Sequence, residues 1–552
     1  MSAENAEDEA DIVIVGGGTA GCVLASRLSE NPERRVLLLE AGRDFGTLEP
    51  DDIRDVFPRS YANPDYFYRG IRASISSVDD VRQFDQARIL GGGSSVMGMW
   101  ALRGLAADFD GWSQSGATGW SYRDLLPCFR RLERDHDFDG KRHGQEGPIG
   151  VRRVPPELWP PFAKAMSRAA RARGFAEGAD MNASDEDGFF PLPISADAQG
   201  RASATRYLDA TVRARPNLRI RSDIHVERVV FDGDRNATGV EARTAGRRIV
   251  IGARAVVLSA GAISSPVLLL RSGIGPSDEL AASGIDLVHH LPKVGQDLQN
   301  HAFLHFAGFV RLGQRQPAGL LNYVTSCLRF SSGAPGAPPS DMMLSFISRP
   351  GIHAGGNAVG MVGVHLYAPA SRGRVGIVMR GDDVSPVVDF RLLSDPLDQE
   401  RLSSALRLAA GLMKDCEDLG VVRNTFLVPP EAPIRAFNAP ELSAHFRTAG
   451  LGLLASMPRT LQRHVLRSVV RSAVFLDEMR DETWDDHARA AALPMFHVAG
   501  TCGIGRVVNS DLSVRGVQRL FVVDASVMPS VTRSNTFLPT VAIAERGAEI
   551  IK

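Results

Sequence analysis

A run of glycines near the N-terminus has the spacing needed to hold a pyrophosphate. Gly16, Gly18 and Gly21 fall on the three positions of GxGxxG, where the chain turns tightly, lets backbone approach the phosphates and packs the next helix closely on a sheet. Thr19 and Ala20 lie between them as further candidate cofactor contacts, with the phosphates on helix-terminal N–H groups. The elements that must position this turn can be read on both sides of it. Asp11 to Val15 (DIVIV) is apolar and rich in β-branched residues, as a strand buried on both faces of a parallel sheet requires. The pattern then predicts a helix over Cys22 to Leu28, a polar turn (SENPERR) and a second apolar strand, Val36 to Leu39, ending in Glu40, Ala41 and Gly42. A carboxylate at that place grips ribose hydroxyls, so Glu40 and Ala41 join the candidate contacts. Together these elements predict a dinucleotide-binding βαβ unit. They leave FAD and NAD both open, because each presents an ADP half to such a unit.

The chain of 552 residues is too long for one compact core, so two or three lobes are expected. With 44% hydrophobic and 23% charged residues it has the composition of a folded globular protein. Lys and Arg number 63 against 64 Asp and Glu, a formal net charge of -1. No field of one sign exists to gather nucleic acid or an anionic membrane. The five cysteines, Cys22, Cys128, Cys327, Cys416 and Cys502, form no CxxC pairs, hence neither a zinc pattern nor a disulfide framework, and no metal site is expected. The opening MSAENAEDEA is acidic, unlike a secretory signal, and charged residues break every apolar run before it could span a bilayer. A cytoplasmic location without membrane insertion is expected; oligomeric state is not written in these features.

Three further segments choose between the cofactors. ARILGGGSSVMGMWALRGLAADFDGW (Ala87 to Trp112), LSAGAISSPVLLLRSGIGP (Leu258 to Pro276) and the stretch from Phe496 to Ile551, with FHVAGTCGIG and LFVVDASVMPSVTRSNTFLPTVAIAERGAEII, resemble the signatures of the glucose-methanol-choline (GMC) oxidoreductases from one end of the chain to the other. The resemblance implies an α/β and α+β fold: a Rossmann-like FAD-binding domain with a second, antiparallel-sheet substrate domain. Within the family, the RGLxxDxDxW and NTxLPT elements are similar to those of the 5-(hydroxymethyl)furfural oxidase type, and Phe496 before the histidine is similar to aryl-alcohol oxidases. In the first segment Gly91, Gly92 and Gly93 let backbone approach a flat ring, and Ser94 and Ser95 can bond phosphate or ring heteroatoms. Val96, Met97, Gly98 and Met99 continue this flavin-side stretch. In the second, Ala260 and Gly261 end a strand against the dinucleotide. Val226, in IHVERV, resembles the adenine contact.

By resemblance, the histidine before xxGT is the catalytic base and the asparagine after Asp-Ala-Ser-x-x-Pro is its partner; these are His497 and Asn535. The chemistry suits the residue types. Alcohol oxidation removes a proton from oxygen and a hydride from carbon, flavin accepts the hydride, and a neutral imidazole takes the proton. An amide can direct the hydroxyl. Asp524, Ala525 and Thr536 are further cofactor contacts, and Pro539 suits the first turn of a helix (Thr540 to Ile550) whose N-terminus faces reduced flavin. The family pattern is broken at Met97 and Phe537, where asparagine is frequent. Some relatives attach FAD through a histidine where Val96 and Met97 stand, so noncovalent FAD is expected. Met495 and Phe496 are candidate substrate contacts and, with Phe537, favour an uncharged aryl or furan primary alcohol, with oxygen or another acceptor reoxidising the flavin. The alternatives are an FAD-containing hydroxynitrile lyase, a choline- or polyethylene-glycol-type alcohol dehydrogenase, an NAD-dependent dehydrogenase and a flavin-binding module without catalysis.

The flavin domain is expected to be discontinuous, residues 1–155 with 202–299 and 494–552, and the substrate domain to take 156–201 with 300–493. Phe303 to Phe390 reads as antiparallel sheet with long loops. Asp398 to Asp415 is helical in period, and Arg459 to Arg471 is a basic amphipathic helix whose charged face is expected to be solvated, with a partner surface as the alternative. Met343, Phe346 and His365 suit sheet positions that core packing explains equally well.

Overall fold

Apolar strands of the expected kind meet in a seven-stranded sheet. In a computed structural model, which describes residues 9–551 except 56, 77–79, 381–382, 433 and 471, strands Leu218–Arg221, Val36–Leu39, Ala10–Val15, Arg247–Leu258 and Leu520–Val522 run parallel. The acidic residues 1–8 and Arg471 lie outside the described residues. Strand Arg247–Leu258 is long enough to serve two partners: its second half joins the parallel set, and its first half pairs antiparallel with Ala237–Thr244, which pairs with His225–Phe231. Val13, Ile14, Leu38, Val256 and Leu258 are fully buried, which is why these strands do not alternate. Helix Thr19–Leu28 packs on helix Phe537–Ile550 over this sheet. Both helices begin three residues earlier than the sequence pattern indicates. Gly21 is inside the first turn, where a Cβ would come 1.9 Å from the Gly16 carbonyl oxygen; glycine there is what lets helix and turn touch.

An eight-stranded antiparallel sheet forms the second layer. Its order is Val474–Phe475, Val422–Val428, Ala302–Val310, Val359–Leu366, Met342–Ile347, Val324–Phe330 and Gly188–Pro191, with Leu493–Pro494 beside Ala302–Val310. Helices Pro161–Ala172 and Pro396–Asp418 pack against it. The strands from Phe303 to Phe390 pair antiparallel with one another, as the pattern predicts, but they divide between two sheets. Gly373–Arg380 and Asp383–Asp389 form a hairpin in a separate five-stranded sheet, where Asp389 and Val388 pair in parallel with Ser74 and Ala73. Alternation marks a strand but not its partner, and this partner lies some three hundred residues upstream. Helix Arg459–Val469 is amphipathic as expected, and its Arg459, Arg463 and Arg467 face Glu417, Asp477 and Glu478.

The D-x-D-x-W element is explained by what it holds. Asp108 and Trp112 stand one turn apart on helix Ala106–Gln114. Asp108 accepts from the Arg533 backbone N–H (2.9 Å) and Nε (2.6 Å), and the Trp112 indole donates to the Ser530 carbonyl (2.9 Å). Both therefore clamp the loop that carries Asn535. Asp110 accepts from the Tyr122 N–H at the start of helix Tyr122–Leu132. Replacing Asp108 with alanine leaves the buried Arg533 guanidinium without its charge partner, and a loss of about 3–5 kcal/mol is expected. Urea unfolding of Asp108→Ala against the parent checks this.

Candidate active site

The carboxyl ends of the parallel strands open on one cavity of about 1130 Å³. Gly16 and Gly18 follow Val15, Glu40 and Ala41 follow Leu39, Ser259 and Ala260 follow Leu258, and Asp524 and Ala525 close the row, all lining it. Helices starting at Thr19, Gly261 and Phe537 bring their N-termini to the same wall, so their free N–H groups and positive dipole ends face the cavity. The antiparallel sheet supplies the opposite wall with Phe303, His305, Ser345 and His365.

His497 and Asn535 meet in this cavity. Asn535 Nδ2 lies 2.9 Å from His497 Nε2, and its Oδ1 accepts from the Tyr367 hydroxyl at 2.7 Å. The amide so held can only donate to the imidazole, which fixes Nε2 as an unprotonated acceptor. The ring proton is then on Nδ1, and it points at His301 Nδ1, 2.8 Å away. Segment Gln299–His301 positions the histidine. Gln299 and Ala499 exchange both backbone bonds (2.9 and 3.0 Å), Met495 N–H donates to the His301 carbonyl, and Asn300 accepts from His497 N–H (3.2 Å) and donates to the Met495 carbonyl. The Thr501 hydroxyl ties the other side to the Ala262 carbonyl at 2.7 Å. Sequence reasoning did not find His301 or Tyr367. Their partners come from distant segments, and no local spacing marks either one.

Of the residues singled out from the sequence, Gly16, Gly18, Thr19, Ala20, Glu40, Ala41, Gly92, Ser94, Met97, Gly98, Met99, Val226, Ala260, Gly261, Asp524, Ala525, Asn535 and Thr536 line the cavity, with Met495, Phe496 and His497. Gly21, Gly91, Ser95 and Val96 do not. Ser95 Oγ donates to the Leu90 carbonyl (2.9 Å), a Cβ on Gly91 would come 2.1 Å from that Oγ, and Val96 is buried among Ile53, Tyr66 and Phe67. These residues shape the turn from behind. Glu40 lines the cavity, but its two oxygens accept from Gly17 and Gly42 N–H, each at 2.7 Å; burial, opposed by those bonds, pushes its carboxyl up to about 7. Asp524 likewise braces the wall, accepting from Gly261 N–H, Ser265 Oγ and Ser526 N–H. Ser94 accepts from Ala204 N–H and donates to the Gly91 carbonyl. His365, read as equally suited to a core, lines the cavity, while Met343 and Phe346 are core residues.

Fold and cavity together define a dinucleotide-dependent oxidoreductase. Sequence profiles of the GMC oxidoreductases match residues 10–303 and 369–544. The chain belongs to the GMC oxidoreductase family, whose members bind FAD, and it is an FAD-dependent oxidoreductase acting on alcohols. It is 35% identical to 5-(hydroxymethyl)furfural oxidase of Methylovorus sp. (strain MP688), over 98% of each chain. It is 31% identical to glucose dehydrogenase [FAD, quinone] of Drosophila pseudoobscura pseudoobscura, over 99% of this chain and 87% of that one. The crystal structure of pyridoxine 4-oxidase from Mesorbium loti superposes with a TM-score of 0.78 at 26% identity, covering 98% of each. The residues present fit FAD. Gly16 has φ of +100° and a Cβ there would come 2.6 Å from the Ser259 carbonyl oxygen, so the turn keeps backbone bare toward the cavity. Among the described residues no helix is long and apolar enough to cross a membrane.

The site is electrostatically quiet. Burial depresses His497 to about 3 and His305 to about 4, and burial with the neighbouring imidazoles holds His301 and His365 well below the usual histidine value. All four are neutral in the folded protein near pH 7. Above about 6.5 they are also neutral when unfolded and contribute nothing to the pH dependence. Below that, the unfolded chain takes up protons the folded one refuses, so stability falls as pH falls toward the folded values. Each contributes up to about 1.4 kcal/mol per pH unit in that window. Urea midpoints are expected to drop between pH 6.5 and 5, with a shallower drop in His305→Leu.

Proposed function

We propose that the enzyme oxidises an uncharged aryl or furan primary alcohol to the aldehyde, with His497 as the base and Asn535 directing the hydroxyl. The observation that carries this reading is the pairing of an unprotonated imidazole nitrogen with an amide donor, 2.9 Å apart, on the cavity wall. A substrate hydroxyl that takes the place of this contact donates to His497 Nε2 and accepts from Asn535 Nδ2, so its own lone pair and proton are both directed. Tyr367 keeps the amide from turning its oxygen to the imidazole. His301 accepts a hydrogen bond from His497 Nδ1–H, so the imidazolium formed on proton transfer keeps one hydrogen bond. Bound flavin supplies the hydride acceptor.

An aromatic wall supports an uncharged ring as substrate. Phe496 packs against Tyr61 (5.7 Å between ring centroids) and Phe84 (5.6 Å), and Phe57 meets Tyr323 edge-on at 5.1 Å. All five line the cavity. For noncovalent FAD, the support is that the segment where some relatives carry a histidine presents only Met97 to the cavity, with Val96 turned into a core. Either oxygen or another acceptor completes the cycle, as the oxidase and the quinone-named dehydrogenase among the relatives illustrate.

Acid precipitation of the yellow holoenzyme is expected to leave the flavin in the supernatant; colour retained in the pellet counts against noncovalent binding. Anaerobic mixing with an aryl alcohol is expected to bleach the flavin, whereas a lyase using flavin only structurally stays yellow. In His497→Ala the bleaching is expected to slow by about a thousandfold or more with FAD still bound. Stopped-flow rates that are unchanged refute the base. With the imidazole depressed to about 3 by burial, the parent's bleaching rate is expected to show no ionisation near pH 6.5.

A further inference from the structure

Exposed apolar side chains gather on one helix beside the cavity. On helix Leu442–Leu454, Ala444, Thr448 and Leu454 are buried, while Leu442, Phe446 and Leu453 on the opposite face are 75%, 76% and 67% exposed. With Ala449 they recur every three or four residues and so form one stripe along the helix. Leu312 and Leu321, also exposed, belong to the loop that Arg315 ties to the same helix through the Gly452 carbonyl (3.1 Å). That helix packs on Ile434–Asn438, whose Arg435 and Asn438 line the active-site cavity. The five apolar residues are outside the cavity lining and stand into solvent. A contiguous patch of this kind marks an interaction surface.

Charge around the stripe selects its partner. Segments 311–323, 349–357 and 434–470 hold eight arginines and a single acid, Glu441, in a chain whose formal net charge is -1. Four of these arginines are matched from outside the segments: Arg435 by Asp85, Arg459 by Glu417, Arg463 by Asp477 and Arg467 by Glu478. The other four, Arg311, Arg315, Arg349 and Arg447, have no carboxylate partner among the described residues. Arg315, Arg349 and Arg447 donate to the carbonyls of Gly452, Ala318 and Ala436, and the neighbouring Arg423 to that of Ala455. Carbonyl bonds hold the loops in place but leave the positive charge uncompensated. A second copy of this chain fits poorly here, because a two-fold interface sets the same arginines against one another. A folded partner offers a fixed complementary shape, whereas apolar tips carried on separate segments and ringed by guanidiniums suit a fluid apolar layer beneath anionic headgroups.

We propose that this face docks the enzyme peripherally on an anionic lipid bilayer, with the Leu442, Phe446 and Leu453 stripe entering the headgroup boundary and Arg311, Arg315, Arg349 and Arg447 meeting lipid phosphates. The protein lies on the layer and does not span it: among the described residues no helix is long and apolar enough to cross. The absence of a field to gather an anionic membrane holds for the chain as a whole but not for this face. Docking sets a wall of the cavity beside a layer into which uncharged alcohols partition. The proposal itself is independent of which alcohol is oxidised.

The test follows the yellow holoenzyme, by flavin absorbance, in co-sedimentation with lipid vesicles. Vesicles of three parts phosphatidylcholine to one part phosphatidylglycerol are expected to carry it down, and neutral phosphatidylcholine vesicles to bind it about tenfold less well. Affinity for the mixed vesicles is expected to fall about tenfold between about 0.1 M and about 1 M salt, as the screening length drops from about 10 Å to about 3 Å. In the double variant Leu442→Ser, Phe446→Ser it is expected to fall by about tenfold or more. FAD content and thermal midpoint are expected to stay those of the parent, since both side chains stand outside the core. Failure to pellet with the anionic vesicles, equal pelleting with neutral ones, or pelleting unaffected by the double substitution each overturns the proposal. Self-association in analytical ultracentrifugation that the double substitution abolishes, without vesicle binding, assigns the face to a second copy and likewise overturns it.

Discussion

The contact between the His497 imidazole and the Asn535 amide is the constraint on which the rest of the architecture converges. Neither residue sits on a regular element that would fix it unaided: His497 belongs to an irregular segment after strand Leu493–Pro494, and Asn535 to the loop before helix Phe537–Ile550. Each is therefore gripped from outside. Gln299 to His301 zips onto the histidine segment, and helix Ala106–Gln114 reaches across with Asp108 and Trp112 to hold the asparagine loop. The antiparallel sheet then adds Tyr367, whose hydroxyl settles which end of the amide faces the ring. The geometry of this pair is a property of three supporting segments more than of the two residues themselves.

Charge is segregated in the same molecule. Away from the cavity, Glu133, Asp135 and Asp180 are matched by Arg103, Arg153 and His143. Burial works against the charge on His143, but the carboxylates around it prevail and hold it up to about 10. Although Glu133, Asp135 and His143 approach closely enough to hold a metal ion, the two guanidiniums already supply the positive charge such an ion would bring. Around His497 the opposite solution applies: His301, His305, His365 and His497 are kept uncharged by burial, with no carboxylate among the described residues hydrogen-bonded to any of them. A carboxylate beside His497 would raise its affinity for protons; a neutral imidazole behind it accepts a hydrogen bond without adding a negative charge.

Much of the flavin-side half was legible in the sequence because its constraints are local. Gly16, Gly18 and Gly21 announce a turn because backbone contacts forbid a Cβ at Gly16 and Gly21, and the all-buried strands announce a parallel sheet by failing to alternate. The cavity-facing half was less legible. His365 and Ser345 read as ordinary strand residues, and which strand neighbours which is a long-range fact. Glu40 and Asp524 were recognisable as important carboxylates, yet their oxygens brace glycine N–H groups of the wall, a role that side-chain type does not announce. Ser95 and Val96 show the converse limit: adjacent to true lining residues in sequence, they turn the other way once the Gly93–Val96 helical turn forms.

The parallel sheet is assembled from pieces far apart in the chain, and its last strand, Leu520–Val522, pairs with the second half of Arg247–Leu258. During synthesis the parallel sheet therefore stays open at one edge until Leu520–Val522 has been made, and Asn535 follows shortly after that strand. Such pairing is dominated by non-local contacts and is slow. A chain halted before Leu520 can present the glycine turn but neither the finished sheet nor the pairing of His497 with Asn535.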